Sequence, residues 1–160
     1  MSDDVSPFQT LPPGVLRVTE ALASLGHPHR PVMLDDAART AQQAADALGV
    51  ALGQIAKSII FRRKNHPGGE DAAVLVITSG DRRVDEKKVQ AIVCAEGGKL
   101  GRADADFVKA KTGFSIGGVS PLAHAAPPVT LIDHQLFRFD VIWAAAGHPH
   151  DIAPVRAAAA

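Results

Sequence analysis

Lys57 is a cation inside an otherwise apolar segment. Residues 54–61 read QIAKSIIF, a run rich in β-branched side chains that predicts a buried strand. An ammonium group within such a strand costs free energy unless it meets an anion or a cleft. Two interpretations stay open. Either Lys57 lies near a strand end and extends its ammonium into water, or it presents a cation to a phosphate, a carboxylate or a polarised carbonyl.

A glycine-rich loop ending in proline is the second feature that could take part in binding or catalysis. Residues 112–121 read TGFSIGGVSP. The adjacent Gly117 and Gly118 allow backbone amides to turn toward a ligand, and Pro121 restricts the exit from the loop. Such amides can hold a carbonyl or stabilise an oxyanion. The Gly-Lys-Ser/Thr ending of a nucleotide-hydrolase phosphate loop is missing, and an ordinary turn is the alternative interpretation.

Histidines form a third feature, because the tetrapeptide GHPH occurs at residues 26–29 and again at residues 147–150. Two His-x-His pairs could bind a metal, but the prolines restrict the backbone and no carboxylate cluster has ligand spacing. The sequence therefore predicts no metal. His148, which follows an alanine-rich segment and Gly147, is the better candidate for a cleft residue.

The remaining chemistry is limited. The single cysteine, Cys94, excludes a disulfide within the chain and a cysteine-rich zinc module, and its apolar neighbours predict a small buried side chain. The sequence contains no serine nucleophile elbow, metalloprotease helix motif or dinucleotide fingerprint. These absences favour water or a group of the substrate as the attacking species, and we predict no cofactor.

The elements that must position these residues predict an α+β fold. Helical spacing and boundary residues predict helices at 15–25, 41–48, from Asp85 onward and at 104–111. Val89, Ile92 and Val93 are expected to share one face of the third helix. Strands are expected at 31–34, 55–61, 72–78, 129–132 and 139–145, with the second and third forming an antiparallel pair. Because strands and long helices do not alternate regularly, a single domain with a mixed sheet is expected.

Length and composition limit the classes of protein to which the chain can belong. The chain has 160 residues, of which 46% are hydrophobic and 21% charged, and its net charge is zero. This excludes a disordered chain and a protein that coats nucleic acid through bulk charge. Aromatic residues make up only 4%, which argues against a surface of several stacked aromatics. We find no secretory signal and no bilayer-spanning run, and so expect a cytoplasmic protein with no membrane contact.

The zero net charge is a cancellation between segments. Residues 54–114 carry twelve basic and eight acidic side chains, whereas the flanking segments are both net acidic. Neutrality therefore excludes extensive wrapping by nucleic acid but not a small contact. The basic middle segment, with Lys57 and the cluster at residues 62–64, is where we expect such a contact. Ordinary solvated surface is the alternative.

Four short motifs occur together in a recognisable order. They are QIAKSIIF at 54–61, GDRRVDEKK at 80–88, GGVSP at 117–121 and AGHP at 146–149. Their order and spacing resemble the YbaK/ProX family of trans-editing aminoacyl-tRNA deacylases, which is related to the editing domain of bacterial prolyl-tRNA synthetases. The resemblance spans about residues 15–155. It implies one α+β domain at residues 14–156 with a barrel-like mixed sheet flanked by helices, between a flexible leader at 1–13 and an alanine tail at 157–160.

The resemblance also implies an activity and a site. The activity is hydrolysis of the ester that joins a wrong amino acid to the 3′-terminal adenosine of a tRNA, with the acceptor end as partner and possible assistance from a prolyl-tRNA synthetase. Lys57 matches the family's functional lysine, residues 117–121 match its Gly-x-x-x-Pro loop, and His148 matches a pocket histidine. The implied catalytic residues are Lys57, Gly118 and His148. The implied substrate-binding residues are Ser115, Ile116, Gly117, Val119, Ser120 and Pro121.

The substrate and some alternatives stay open at this stage. Family members clear different amino acids, and His148 favours alanine or another small residue. A deacylase of tRNA charged with cysteine, serine or threonine is the alternative. Oligomeric state cannot be predicted from the sequence. A non-catalytic module that binds aminoacyl-tRNA, a metal-dependent hydrolase and a purely structural protein are the competing interpretations.

Overall fold

The computed structural model describes residues 12–27, 31–34, 40–67, 69–148 and 151–156. The alanine tail predicted at 157–160 and all but the last two residues of the predicted leader lie outside these ranges. His29 and His150, the second members of the two His-x-His pairs, also lie outside them.

The described part of the chain contains four α-helices, each with an apolar face that is buried. They are α1 (Pro13–Ser24), α2 (Ala41–Leu48), α3 (Glu86–Val93) and α4 (Ala105–Thr112). The side chains of Thr40, Asp85 and Asp104 each accept a hydrogen bond from a first-turn amide, which satisfies a donor that lacks a helical partner. Gly49 and Gly113 end α2 and α4 in the left-handed conformation that glycine favours.

Seven strands form one mixed sheet within the described ranges. They are β1 (Val32–Met33), β2 (Ile55–Lys64), β3 (Ala72–Ser79), β4 (Lys99–Arg102), β5 (Val129–Ile132), β6 (Val141–Ala145) and β7 (Asp151–Arg156). The order is β1-β7-β6-β2-β3-β5, and β4 also pairs with β2. The β2–β6 and β3–β5 pairs are parallel and the other pairs are antiparallel. The predicted α+β domain with a mixed sheet and an antiparallel β2–β3 pair is confirmed.

Strand β2 has an opening along one of its edges. One edge pairs with β3 from Ala56 to Arg63. The other edge pairs with β6 only at Ile55–Ala56 and with β4 only from Phe61 onward. Among the described strands, none pairs with residues 57–60 on this second edge. The sheet therefore leaves Lys57 and its neighbours beside a gap.

The two faces of β2 bury their side chains against different layers. Ala56 and Ile60 belong to the main core, with Val18 and Leu22 of α1 and Val108 of α4. Ile55 packs against α2, while Ile59 and Phe61 pack against Val89 and Val93 of α3. Because side chains alternate along a strand, Lys57 shares the face of Ile55 and Ile59 and lies between the parts covered by α2 and α3. This interval explains how an apolar strand accommodates a lysine.

Several sequence expectations need correction. Residues 134–138 form a 3₁₀ helix with Phe139 as its C-cap, so the strand predicted at 139–145 begins at Val141. Ile92 is 62% exposed and does not share the buried face of Val89 and Val93. Cys94 is half-buried beside that face. Strands β4 and β7 were not expected. No helix among the described residues has the length and apolar character needed to cross a bilayer.

Candidate active site

Lys57 is held at the gap by a backbone carbonyl. Its Nζ donates a hydrogen bond of 2.8 Å to the carbonyl oxygen of Arg82, which lies between β3 and α3. An ammonium group has three N–H donors, so this contact fixes its position and leaves two donors for a ligand or water. The position near the start of β2 combines features of both predicted interpretations, because the ammonium is partly exposed and also directed by a specific partner.

A polar network fixes the turn that supplies this carbonyl. Arg138 Nη2 donates to Ser79 Oγ at 2.9 Å and lies 3.2 Å from Asp81 Oδ1, and Ser79 Oγ donates to the carbonyl of Gly53 at 2.6 Å. The Ser79 hydroxyl and the Arg138 guanidinium lower the pKa of the Asp81 carboxyl. Asp81, in the GDRRVDEKK motif, therefore serves to shape the turn beside Lys57.

Two adjoining cavities occupy the gap beside β2. Each has a volume of about 240 Å³, and both are lined by Ser58, Gly117 and Val119. Lys57 lines the first cavity, together with Thr40 and Ala44 of the α2 region and Ala145 at the end of β6. The structure thus brings the predicted lysine and the predicted glycine loop to one cleft, with residues 117–119 facing β2.

The second cavity is mainly apolar. Ile60, Ala103, Val108 and Ile116 contribute aliphatic side chains to its lining. Ile116 is 57% exposed and is one of the few large hydrophobic side chains on the surface of the described residues. A small apolar group bound here would gain contact with several branched side chains.

The predicted loop residues occupy different environments. Ser115 is exposed and lines neither cavity, and its carbonyl accepts the amide N–H of Gly118 at 2.9 Å. The Gly118 amide is therefore engaged within the turn rather than presented to a ligand. Ser120 is buried, and its hydroxyl accepts the amide of Leu122 at 3.2 Å. Pro121 is half-buried and follows it at the exit of the loop.

The amides with free donor capacity belong to the neighbours of Gly118. Within the described residues, the backbone N–H groups of Gly117 and Val119 have no hydrogen-bond acceptor. Both residues line the two cavities. Two amides flanking an engaged amide are suitable donors for a carbonyl or oxyanion bound in the cleft.

His148 packs behind the loop instead of lining the cleft. A Cβ atom placed on Gly118 would lie 2.8–2.9 Å from three backbone atoms of His148, and Gly147 donates its amide to the Gly118 carbonyl at 3.0 Å. Among the described lining residues of the two cavities, His148 is absent. Its Nδ1 lies 3.4 Å from Oδ2 of the buried Asp151. The histidine therefore joins the loop to the β6–β7 connection.

A brace of Arg17, Phe114 and His124 supports the other end of the loop. The Arg17 guanidinium donates to the carbonyls of Ala123 and Thr112 and lies 4.4 Å from the centre of the Phe114 ring. His124 packs edge-on against Phe114, and its Nε2 lies 2.5 Å from the Ser120 carbonyl. A carbonyl only accepts, so Nε2 carries the proton. Sequence reasoning missed these residues because 95 and 106 positions separate Arg17 from its partners.

Burial keeps His124 neutral. Desolvation lowers the pKa of its imidazole, with a further contribution from the Arg17 charge, against an opposing hydrogen bond to Ser120. A second proton on Nδ1 would create a buried donor, since that nitrogen has no hydrogen-bond partner among the described residues. The brace is therefore adapted to a neutral imidazole.

Ser58 is a second residue that sequence reasoning missed. Its hydroxyl is buried, lies between the two cavities, and has no hydrogen-bond partner among the described residues. Buried polar groups normally have partners, so an unsatisfied hydroxyl at a cleft is available to a bound ligand. The signal was present in the strand pattern, because Ser58 is the only hydroxyl residue between Lys57 and Phe61.

No group of three or more histidine, cysteine or acidic side chains with metal-site geometry occurs among the described residues. One member of each His-x-His pair, His29 and His150, lies outside those residues. The prediction of a metal-free site stays a prediction.

Comparison with known proteins identifies the family. A family model described as the aminoacyl-tRNA editing domain matches residues 35–158. The chain belongs to the aminoacyl-tRNA editing domain family. The predicted relationship to editing proteins is thereby confirmed at the level of the family.

Relatives of this editing domain include both separate proteins and parts of synthetases. It is 36% identical over 108 residues to the uncharacterized protein YwhH of Bacillus subtilis, covering 68% of this chain and 64% of YwhH. It is 26% identical over 98 residues to a proline–tRNA ligase of Thermoanaerobacter, covering 61% of this chain and 16% of the ligase. The matched region thus spans less than two thirds of these relatives.

A solved structure extends the similarity to the whole fold. The crystal structure of a candidate trans-editing enzyme for prolyl-tRNA synthetase superposes with a TM-score of 0.79 and 36% sequence identity. The superposition covers 92% of this editing domain and 88% of that protein. The sheet and helices that surround the cleft therefore belong to a known editing-domain architecture.

Proposed function

We propose that this editing domain hydrolyses the ester bond of mischarged aminoacyl-tRNA. The observation that carries the proposal is the cleft in which Lys57 faces the loop at residues 117–119. A lysine and backbone amides suit a carbonyl that gains negative charge during reaction. Membership of the aminoacyl-tRNA editing family supports the same substrate class.

The proposed reaction needs no nucleophile from the protein. Water adds to the ester carbonyl carbon and loses a proton to the solvent, which gives a tetrahedral intermediate with a negatively charged oxygen. The amides of Gly117 and Val119 stabilise that oxygen, and Lys57 provides a nearby positive charge. The bond to the ribose oxygen then breaks, the ribose oxygen takes up a proton, and the products are the free amino acid and the uncharged tRNA.

Loop residues divide between contact and support in this proposal. Ile116, Gly117 and Val119 contact the substrate, since all three line the second cavity. Gly118, Ser115, Ser120 and Pro121 maintain the loop conformation. His148 acts as a positioning residue through its contact with Gly118 instead of orienting water directly.

The second cavity supports a small amino acid as substrate. Its aliphatic lining suits the methyl group of alanine better than a charged side chain. An apolar pocket separates substrates that differ by one methylene by only about 10- to 200-fold. We therefore expect alanine to be preferred, with weaker activity on cysteine, serine or threonine esters.

The proposed partner is the acceptor end of tRNA(Pro), with assistance from a prolyl-tRNA synthetase. The supporting observation is the similarity to a proline–tRNA ligase and to a candidate trans-editing enzyme for prolyl-tRNA synthetase. Such a role would place the protein in the cytoplasm, where the tRNA is charged.

A panel of charged tRNAs tests the function directly. Purified protein is incubated with tRNA(Pro) carrying alanine, cysteine, serine, threonine or proline, and release of free amino acid is measured. We expect release of alanine to be fastest and release of proline to be slowest. Protection of every ester against spontaneous hydrolysis would instead indicate a non-catalytic binding module.

Chelation tests the proposed independence from metal. The same assay is repeated after dialysis against EDTA, and unchanged release of alanine is expected. Activity that disappears with EDTA and returns with a divalent cation would support the metal-dependent alternative, in which His27 and His148 are ligand candidates.

A further inference from the structure

A groove that none of the loop residues 115–121 lines lies beside Lys57, next to the active-site cleft. It has a volume of about 420 Å³, and its lining includes three cations and one acid: Lys57, Arg83, Arg102 and Glu86. Ile59 and Phe61 form part of its apolar floor. Lys57 lines both this groove and the first cavity of the active-site cleft, so the two adjoin at its side chain.

The strand register spreads the cations along the groove. Arg102 of β4 lies directly opposite Phe61 of β2, and opposite residues place their side chains on the same face. Lys57 precedes Phe61 by four residues on that face, which separates the two strand positions by about 13 Å. Arg83 stands just before α3 and lines the same groove. The charges therefore form a row along the groove.

The two arginines of this row are available to bind a ligand. Arg83 and Arg102 are exposed, and neither has an ion pair or side-chain hydrogen bond among the described residues. The two arginines of the cluster at residues 62–64 differ, whereas its Lys64 is exposed and has no ion pair or side-chain hydrogen bond among the described residues. Arg62 pairs with Asp71 at 2.7 Å, and Arg63 donates to the Val93 carbonyl at 3.2 Å. Within the basic middle segment, the expected nucleic-acid contact is therefore assigned to Arg83 and Arg102 rather than to Arg62 and Arg63.

We propose that this groove binds phosphodiester groups of the single-stranded 3′ end of the tRNA, with Arg83 and Arg102 as the principal contacts. The inference rests on the proposed function, since it requires that the ester lies in the adjoining cleft. Arginine forms paired hydrogen bonds with phosphate oxygens, and a row of cations suits successive phosphates better than one isolated anion. Lys57 then marks the junction between the phosphate groove and the ester.

Binding of an uncharged RNA tests the groove independently of catalysis. The probe is a hairpin RNA that carries the acceptor stem and a single-stranded 3′ tail, titrated at several salt concentrations. Arg83→Gln and Arg102→Gln should each weaken binding about fivefold. The slope of log affinity against log salt should also fall by about 0.7 for each lost phosphate contact.

Two further variants separate this mechanism from misfolding and from general charge loss. Glu86→Gln removes the only acid among the described residues that line the groove and should tighten binding about twofold or more, which a damaged fold cannot produce. Lys99→Gln removes an exposed cation from β4, three residues before Arg102 and outside the groove. It should leave both affinity and salt slope unchanged. Thermal unfolding of each variant confirms that the fold is retained.

Specific outcomes would overturn the proposal. Wild-type affinity in both arginine variants, or equal weakening by Lys99→Gln, would contradict a dedicated groove. Equal binding of a hairpin that lacks the single-stranded tail would assign the contact to the duplex instead. Failure of the proposed function looks different: the wild-type protein would bind the tailed hairpin with the predicted arginine dependence yet release no amino acid from any charged tRNA.

Discussion

The contact between Gly118 and His148 predicts the effect of a single added methyl group. A Cβ at residue 118 would lie 2.8–2.9 Å from the backbone N, Cα and C atoms of His148. Non-bonded carbon atoms pack at about 3.5–4.0 Å, so Gly118→Ala must displace the loop or the β6–β7 connection by more than half an ångström. Overpacking of this kind costs about 1–3 kcal/mol, which lowers Tm by about 2–12 °C in a chain of this size.

The effect on activity should exceed the effect on stability. Gly118 lies between the two amides proposed to bind the oxyanion, and a displacement of about 1 Å at a reacting centre can cost about a hundredfold in rate. We therefore expect kcat/KM for alanyl-tRNA(Pro) to fall about 10- to 100-fold when it is measured well below the Tm of the variant. The measurement is steady-state deacylation alongside thermal unfolding.

A matched variant controls for adding a methyl group to a glycine. At Gly101 the nearest atoms to an added Cβ are the flexible end of the Lys64 side chain, at 3.1 Å and beyond. Gly101→Ala should therefore leave Tm and kcat/KM close to wild type. If Gly118→Ala lowers Tm but keeps full kcat/KM, the loop position does not govern the chemistry. If neither quantity changes, the proposed contact does not constrain the loop.

Three further predictions concern groups around the cleft. His124 is neutral in the folded state because burial lowers its pKa, so the unfolded chain binds more protons below about pH 6.5 and stability falls as pH decreases from there. His124→Gln, which retains an N–H donor without titrating, should flatten this dependence in thermal unfolding from pH 7.5 to 5.5; an unchanged slope would assign it to other groups. Arg17→Met should lower the unfolding free energy by about 2 kcal/mol, measured by urea denaturation, because it removes three hydrogen bonds to the carbonyls of Thr112 and Ala123; a wild-type midpoint would refute the brace. Ser58→Ala should leave stability within about 1 kcal/mol because it removes an unsatisfied hydroxyl, yet raise KM several-fold if substrate uses that hydroxyl; an unchanged KM would exclude the contact.

Local patterns in the sequence predicted most of the elements correctly. The capping residues Thr40 and Asp85 and the β-branched run of β2 each carry their signal within a few positions. Strand β4 was missed because Lys99–Arg102 is short and carries two cations and a glycine. Strand β7 was missed because Pro154 lies within it, and proline usually argues against a strand.

The residues of the candidate site were also predicted where their signal is local and missed where it is not. Lys57 and the glycine loop were each found from a few neighbouring residues. A lysine inside an apolar strand is unusual, and so is a Gly-Gly pair shortly before a proline. The brace of Arg17 and His124 was missed because its contacts join segments far apart in the chain. The exposure of Arg83 and Arg102, and the internal use of Arg62 and Arg63, depend on strand register and neighbouring carbonyls that composition does not encode.

The role of Lys57 in ester hydrolysis is the central claim, and single-turnover deacylation of alanyl-tRNA(Pro) tests it most directly. Lys57→Ala should reduce the rate of alanine release at saturating enzyme by about a hundredfold, the usual effect of removing a group that stabilises an oxyanion. Lys99→Ala, a matched loss of an exposed lysine, should retain the wild-type rate. A wild-type rate of alanine release in Lys57→Ala would contradict the account.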